Sequence, residues 1–327
     1  MTDPCPPDYQ KLIDAATWAF IRESEGWYPP ETASAPIGRQ RQIYDAMCRA
    51  FHKGYPPGVQ VRDQPFGGVA CRLYASARPG TGSVLYLHGG GFVVGGLESH
   101  DDVCAEICAA TGLRVIAADY RLAPEHRHPA AFEDAFAAAQ GVARQFPGPL
   151  VLAGDSAGGC LAAAVAHRAR VQGPAIAGQV LIYPGLGGDR GRGSYIAHAE
   201  APMLTRADVL FYDRIRFAEG ARPVADPTAR PLQDHDFTAL PPTLILAAEC
   251  DPLADDGPDY AALIRAAGGR AAARIEPGLV HGYLRARKSV PRARDSFIRI
   301  TEAIAALAAG GWAGDVTRDG ANDGPRA

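Results

Sequence analysis

The chain has 327 residues, 47% of them hydrophobic and 21% charged, with a formal net charge of −3. That length can bury a large core in one or two domains, and the near-neutral charge leaves no footprint for nucleic acid or an anionic membrane. No run of about 18 apolar residues marks a membrane span, and Met1 to Gln10 lacks the basic segment and apolar run of a signal peptide.

Residues 8–24 and 39–53 read as helices around a proline-containing break from Tyr28 to Pro36. Val59 to Tyr74 holds two strand-like runs split by Gly67-Gly68. Strands and helices then alternate: a strand at 83–87, a helix at 99–111, a strand at 114–118 and a helix near 129–145. A strand at 150–153 leads into a helix from 156, followed by a strand at 179–183. After an interval come a strand at 243–247, a helix near 257–267, a last strand around 272–275 and a helix near 291–309. Short apolar strands alternating with amphipathic helices predict a mostly parallel sheet covered on both faces. The early pair is expected to form its antiparallel edge. The stretch 185–240 breaks the rhythm, with one helical run from Arg206 to Phe217, and reads as a cap insertion packed with the N-terminal helices. The expected organisation is therefore an N-terminal helical cap segment over 1–55 and a core in two parts, 56–184 and 241–310. The insertion 185–240 separates those parts, and a flexible Gly- and Asp-rich tail follows over 311–327.

Gly154-Asp155-Ser156-Ala157-Gly158 fits G-x-S-x-G between a strand and a helix. In that context the serine sits on a strained turn with its hydroxyl exposed, and small neighbours let strand and helix approach. His88-Gly89-Gly90-Gly91-Phe92 follows the strand 83–87, where backbone N–H groups can face a developing oxyanion. It is not a nucleotide loop: Val94 stands where G-x-G-x-x-G needs its third glycine, and no G-K-[S/T] occurs. Of nine histidines, only His281 follows the last predicted strand, as the order Ser…Asp/Glu…His requires. Asp251 lies just after the strand 243–247 and is preferred over Glu249, Asp255 and Asp256 as the partner that orients His281. Asp155 is expected to point away from the reaction and support the turn. His88 is expected to hold its own loop. The pair His126/His128 lacks an accompanying carboxylate motif and reads as loop rather than metal site. Seven cysteines, an odd number, form no disulfide framework. Cys104 and Cys108, four apart on one helical face, read as buried thiols, and a reducing cytoplasm is the expected compartment.

Taken together, His88 to Phe92, Tyr120-Arg121-Leu122-Ala123-Pro124-Glu125-His126, the GDSAGG elbow, Asp251-Pro252-Leu253 and His281-Gly282 resemble the hormone-sensitive-lipase-like α/β-hydrolases, the bacterial family IV esterases, and within them the GDSAG subgroup. The resemblance implies the α/β-hydrolase fold with a helical cap. It implies Ser156 as nucleophile, His281 as general base and acid, Asp251 as its partner, and an oxyanion hole from the N–H groups of Gly90, Gly91 and Ala157. It implies a carboxylic ester hydrolase for short- to medium-chain acyl esters, without cofactor or metal and often a homodimer. Phe92, Tyr195 and Phe211 are the expected substrate contacts, with Phe217 a further cap aromatic. Cys160, Tyr283 and Ala254 depart from residues common in the family, which leaves substrate preference open but removes no catalytic atom. Amide, carbamate or lactone hydrolysis by the same triad, and a ligand receptor on the same scaffold, are the competing readings.

Overall fold

The computed structural model describes residues 7–218, 223–312 and 314. The expected tail over 311–327 therefore lies almost wholly outside the described residues. Among the described residues, eight strands form one sheet: β1 (Val59–Phe66), β2 (Val69–Ser76), β3 (Ser83–Leu87), β4 (Arg114–Ala118), β5 (Leu150–Asp155), β6 (Gly178–Ile182), β7 (Thr243–Cys250) and β8 (Ala271–Val280). Their order is β1-β2-β4-β3-β5-β6-β7-β8. The hairpin β1–β2 is antiparallel and joins β4 antiparallel; every other pairing is parallel. Gly67 and Gly68, at φ +60° and +86°, make the two-residue hairpin turn, a geometry in which side-chain-bearing residues are strained.

Among the described residues, ten helices accompany the sheet: α1 (Tyr9–Leu12), α2 (Ala15–Glu25), α3 (Ile37–Phe51), α4 (Asp101–Thr111), α5 (Ala130–Gln145), α6 (Ala157–Gln172), α7 (Ser194–Ala197), α8 (Arg206–Arg216), α9 (Asp256–Ala266) and α10 (Pro291–Ala308). The central strands β3 to β7 are buried on both faces, and alternate residues supply two separate cores. Val84, Tyr86, Val151 and Ala153 pack with α4 and α10 through Val103, Ile107, Ile300 and Ile304. Leu85, Leu87, Leu150 and Leu152 pack with α5, α6 and α9 through Ala135, Leu161 and Ile264. This is the mostly parallel, doubly covered sheet that the alternation predicts, in the α/β-hydrolase architecture that the resemblance implies.

The predicted helix over 8–24 is two helices. Asp14 breaks it: its side chain accepts from Thr17 N at 2.8 Å and starts α2 as an N-cap. The interval between β6 and β7 holds α7, α8 and a short turn at Pro231–Gln233. α8 opens with a reciprocal capping box between Thr205 and Asp208. Tyr9 of α1 reaches His198 at the end of α7, 3.1 Å from its Nδ1, and so ties the N-terminal segment to this interval.

Candidate active site

Parallel strands end together, and the chemistry-bearing residues leave from those ends. Leu87 pairs with Gly154, so the loop after β3 and the turn after β5 start at one level. Cys250 pairs with Val280 across an irregularity at Ala248/Cys250. Asp251 and His281, the next residue on each strand, therefore emerge side by side.

Ser156 occupies the β5–α6 turn at φ +54°, ψ −117°, a conformation costly for a residue with a Cβ. The surroundings impose it. Ser156 N donates to Ile182 O at 2.9 Å. A Cβ at Gly154 would lie 2.5–2.6 Å from the carbonyls of Gly158 and Leu87, and one at Gly158 would collide with Leu87 O. Only glycine at both positions lets the turn close this tightly.

His281 Nδ1 lies 2.7 Å from Asp251 Oδ2, and its Nε2 lies 2.9 Å from Ser156 Oγ. Asp251 is fully buried, and its other oxygen accepts from Leu253 N at 2.9 Å. A carboxylate can only accept, so it fixes the proton on Nδ1 and leaves Nε2 to accept from the serine hydroxyl. The Tyr183 ring, 4.8 Å from the imidazole centroid, backs it. The three alternatives to Asp251 are engaged elsewhere. Glu249 accepts from Gly278 N at 2.7 Å, and Asp255 accepts from Ser194 N at 2.7 Å. Asp256 accepts from Leu186 N at 2.7 Å, Gly187 N at 3.1 Å and the Tyr195 hydroxyl at 3.2 Å. Burial holds the Asp256 carboxyl at about 7 despite these donors.

The glycine loop is held from below by Asp155. This buried carboxylate accepts from Tyr86 OH at 2.9 Å and Gly89 N at 3.0 Å, and its other oxygen lies 3.2 Å from His100 Nε2. Burial alone would raise its pKa; His100, beside it, holds the group below the usual carboxylate range. The His88 ring stacks on Tyr120 at 4.2 Å, Tyr120 OH donates to His88 O at 2.6 Å, and burial lowers His88 to about 4. The 120–126 motif does the rest: Ala123 N donates to Phe92 O, while Arg41 of α3 donates to Val93 O, Ala123 O and Glu125. Among the described residues, no acceptor takes the N–H groups of Gly90, Gly91 and Ala157. All three residues border the cavity in which Ser156 Oγ and His281 lie.

Tyr28, Tyr44 and Met47 from the N-terminal segment, and Tyr212 of α8, close that cavity from above. Phe92 and Tyr195 line it. Phe211 does not. It faces a separate groove with Pro36, Ile37 and Pro124, and the ring that covers Gly91 belongs to its neighbour Tyr212. Phe217 also turns away and packs edge-on to His128, which pairs with Asp226. The arginines of the cavity wall, Arg190, Arg216, Arg230 and Arg285, carried no motif in the sequence. The described cysteines are free and buried. No helix among the described residues is long and apolar enough to cross a membrane, and none of their His, Cys, Asp and Glu side chains group as three potential metal ligands.

Residues 84–285 match the family model for the alpha/beta hydrolase fold. The chain is 39% identical over 247 residues to "Esterase LipI" of Mycobacterium tuberculosis, covering 72% of this chain and 77% of that protein. It is 34% identical over 230 residues to "Ethyl acetate hydrolase" of Pseudomonas putida, covering 68% and 72%. Among solved structures, a hyperthermophilic esterase from Pyrobaculum calidifontis superposes with TM-score 0.77 at 34% identity, covering 84% of this chain and 95% of the other. An esterase of the bacterial hormone-sensitive lipase family superposes with TM-score 0.80 at 27% identity, covering 89% and 98%. The chain therefore belongs to the hormone-sensitive-lipase-like, family IV branch of the α/β-hydrolases and is a carboxylesterase-type hydrolase.

Proposed function

We propose that this esterase works by two acyl transfers through Ser156, with His281 and Asp251 completing a catalytic triad. The observation that carries the reading is the unbroken relay Asp251–His281–Ser156, with contacts of 2.7 and 2.9 Å, opening into a covered cavity. In the first step the Ser156 hydroxyl attacks the ester carbonyl carbon while His281 Nε2 takes its proton. The carbonyl oxygen becomes an oxyanion and accepts from Gly90, Gly91 and Ala157 N–H; one such donor contributes roughly 3–4 kcal/mol in a comparable hydrolase. The C–O bond then breaks, and the imidazolium returns its proton to the leaving alkoxide. Water adds to the acyl-enzyme by the same route and releases the acid and free Ser156. The buried Asp251 carboxylate stabilises the imidazolium formed in each half.

Short- to medium-chain esters are the proposed substrates. The aromatic cover of Tyr28, Tyr44 and Tyr212 supports this by limiting the room over Ser156. The relative named ethyl acetate hydrolase points the same way. We assign the cover to a cap made by the N-terminal segment with residues 185–240. The test is hydrolysis of 4-nitrophenyl esters from two to sixteen carbons by wild type and Ser156→Ala. The reading expects a rate peaking at short chains that Ser156→Ala abolishes in a folded protein. A Ser156-independent rate would sink the mechanism, and a peak at long chains would sink the substrate assignment.

A further inference from the structure

Four guanidiniums, Arg190, Arg216, Arg230 and Arg285, line the catalytic cavity, against two carboxylates, Asp155 and Asp213. The cavity wall is thus cationic in a chain whose net charge is −3. Asp213 is taken by Arg190 and Arg230. Arg216 donates to Ala229 O at 3.1 Å and lies over the Phe92 ring at 3.6 Å. Asp155 is filled by Tyr86, Gly89 and His100.

Arg285, like Arg216, has no carboxylate against it among the described residues, but Arg216 is buried and Arg285 only half-buried, within reach of a ligand. Its Nη2 donates to Tyr44 OH at 2.7 Å and to Cys48 Sγ at 2.9 Å. Burial pushes both the phenol and the thiol up, so both acceptors are neutral near pH 7. Its Nε is buried without an acceptor, and among the described residues it forms no ion pair with a carboxylate. A guanidinium cannot shed its proton, and a half-buried cation with no carboxylate hydrogen-bonded to it is costly to keep; only Asp155, already filled, adds its charge from a distance. Arg285 also lies on the loop that carries His281, with its N–H donating to Gly282 O at 3.2 Å. Its planar fork matches a carboxylate better than any other side chain does.

We propose that the natural substrate is an ester bearing a free carboxylate, which Arg285 binds while the ester carbonyl lies at Ser156. The proposal rests on the ester-hydrolase reading above and adds the charge of the substrate. Phe92 and the cover tyrosines hold its apolar part, and the second anchor aligns the scissile bond.

The test compares isosteric pairs with the purified enzyme: mono-4-nitrophenyl adipate against 4-nitrophenyl hexanoate, and 4-carboxyphenyl butyrate against 4-methylphenyl butyrate. The pairs place the charge on the acyl and the alcohol side in turn. One charged ester should exceed its neutral partner in kcat/KM by at least roughly tenfold, as expected for a hydrogen-bonded ionic contact. Arg285→Gln should collapse that ratio towards one, and Arg285→Lys should restore part of it. Raised salt should lower the ratio. If neutral esters are turned over but both ratios stay near or below one, the carboxylate proposal is wrong and the esterase reading stands. A preference that survives Arg285→Gln in a folded variant removes Arg285 from the account. If no ester of either kind is hydrolysed, the underlying reading fails as well.

Discussion

Replacing Asp251 with Asn perturbs one proton while leaving the shape of the site intact. Asp251 Oδ1 accepts from Leu253 N at 2.9 Å and Oδ2 faces His281 Nδ1 at 2.7 Å. In the variant, Leu253 N–H still needs an acceptor, so the amide oxygen must stay on that side. The amide NH₂ is then forced against Nδ1, which can meet it only as an acceptor. The imidazole proton moves to Nε2, where it faces Ser156 Oγ and blocks proton abstraction. Loss of the correct tautomer costs about 10⁴-fold in a well-studied serine protease, or ~5.5 kcal/mol of transition-state stabilisation. The assay is kcat/KM on a short 4-nitrophenyl ester beside thermal melting of both proteins. A fall of roughly 10³- to 10⁴-fold with a melting point near wild type is expected. A fall of less than about tenfold in a folded variant would refute the assignment of Asp251 as the residue that orients His281.

Gly91→Ala would set a Cβ 2.5 Å from the Tyr212 ring at φ +61°; kcat is expected to drop about 10²- to 10³-fold as an oxyanion donor shifts. Adding Tyr212→Ala should recover part of the loss, and strict additivity in that double-mutant cycle would contradict the contact. Asp155→Asn leaves His100 and Gly89 N–H with a neutral, half-donating partner and is expected to destabilise by roughly 3–5 kcal/mol in urea unfolding. An unchanged midpoint would show that the carboxylate does not hold the loop. His88 and His167 are both lowered from 6.5 to about 4, first of all by burial. Their folded-state pKa values lie below the unfolded value, so the stability they contribute is present above pH 6.5 and lost as pH falls towards 4. The loss is on the order of 3 kcal/mol for each histidine. His167→Gln, remote from Ser156, should flatten the dependence of melting temperature on pH in that window, and an unaltered slope would argue against it.

Most of what positions the chemistry was readable because it is tied to strand ends. Ser156, Asp251 and His281 each follow the last residue of β5, β7 and β8; the apolar runs read from the sequence stop earlier, at 153, 247 and about 275, so periodicity located the neighbourhood and the motifs the residue. The glycines were readable for a related reason: Gly154 and Gly158 sit where backbone must meet backbone, and the chain shows that need as missing side chains. What the sequence hid depends on packing phase. In α8 apolar and charged residues alternate closely, so nothing local says that Tyr212 rather than Phe211 turns to the cavity. That choice is made by where α8 lands on the glycine loop. Asp256 resembled Asp251 in the sequence, and only the fold shows it turning back to the N–H groups of Leu186 and Gly187. The cationic wall was invisible because Arg190, Arg216, Arg230 and Arg285 come from four separate segments. Asp14, unremarkable in a helical stretch, was missed as an N-cap because its neighbours on both sides favour helix.

The central claim is that Ser156 is the residue acylated during turnover, and covalent trapping tests it most directly. The enzyme would be treated with one equivalent of an alkyl fluorophosphonate, and intact mass, residual activity and the modified peptide would be measured. The account predicts a single adduct on the peptide containing Ser156, loss of ester hydrolysis in step with labelling, and no adduct in Ser156→Ala. Labelling at another residue, or full activity in protein fully modified at Ser156, would contradict it.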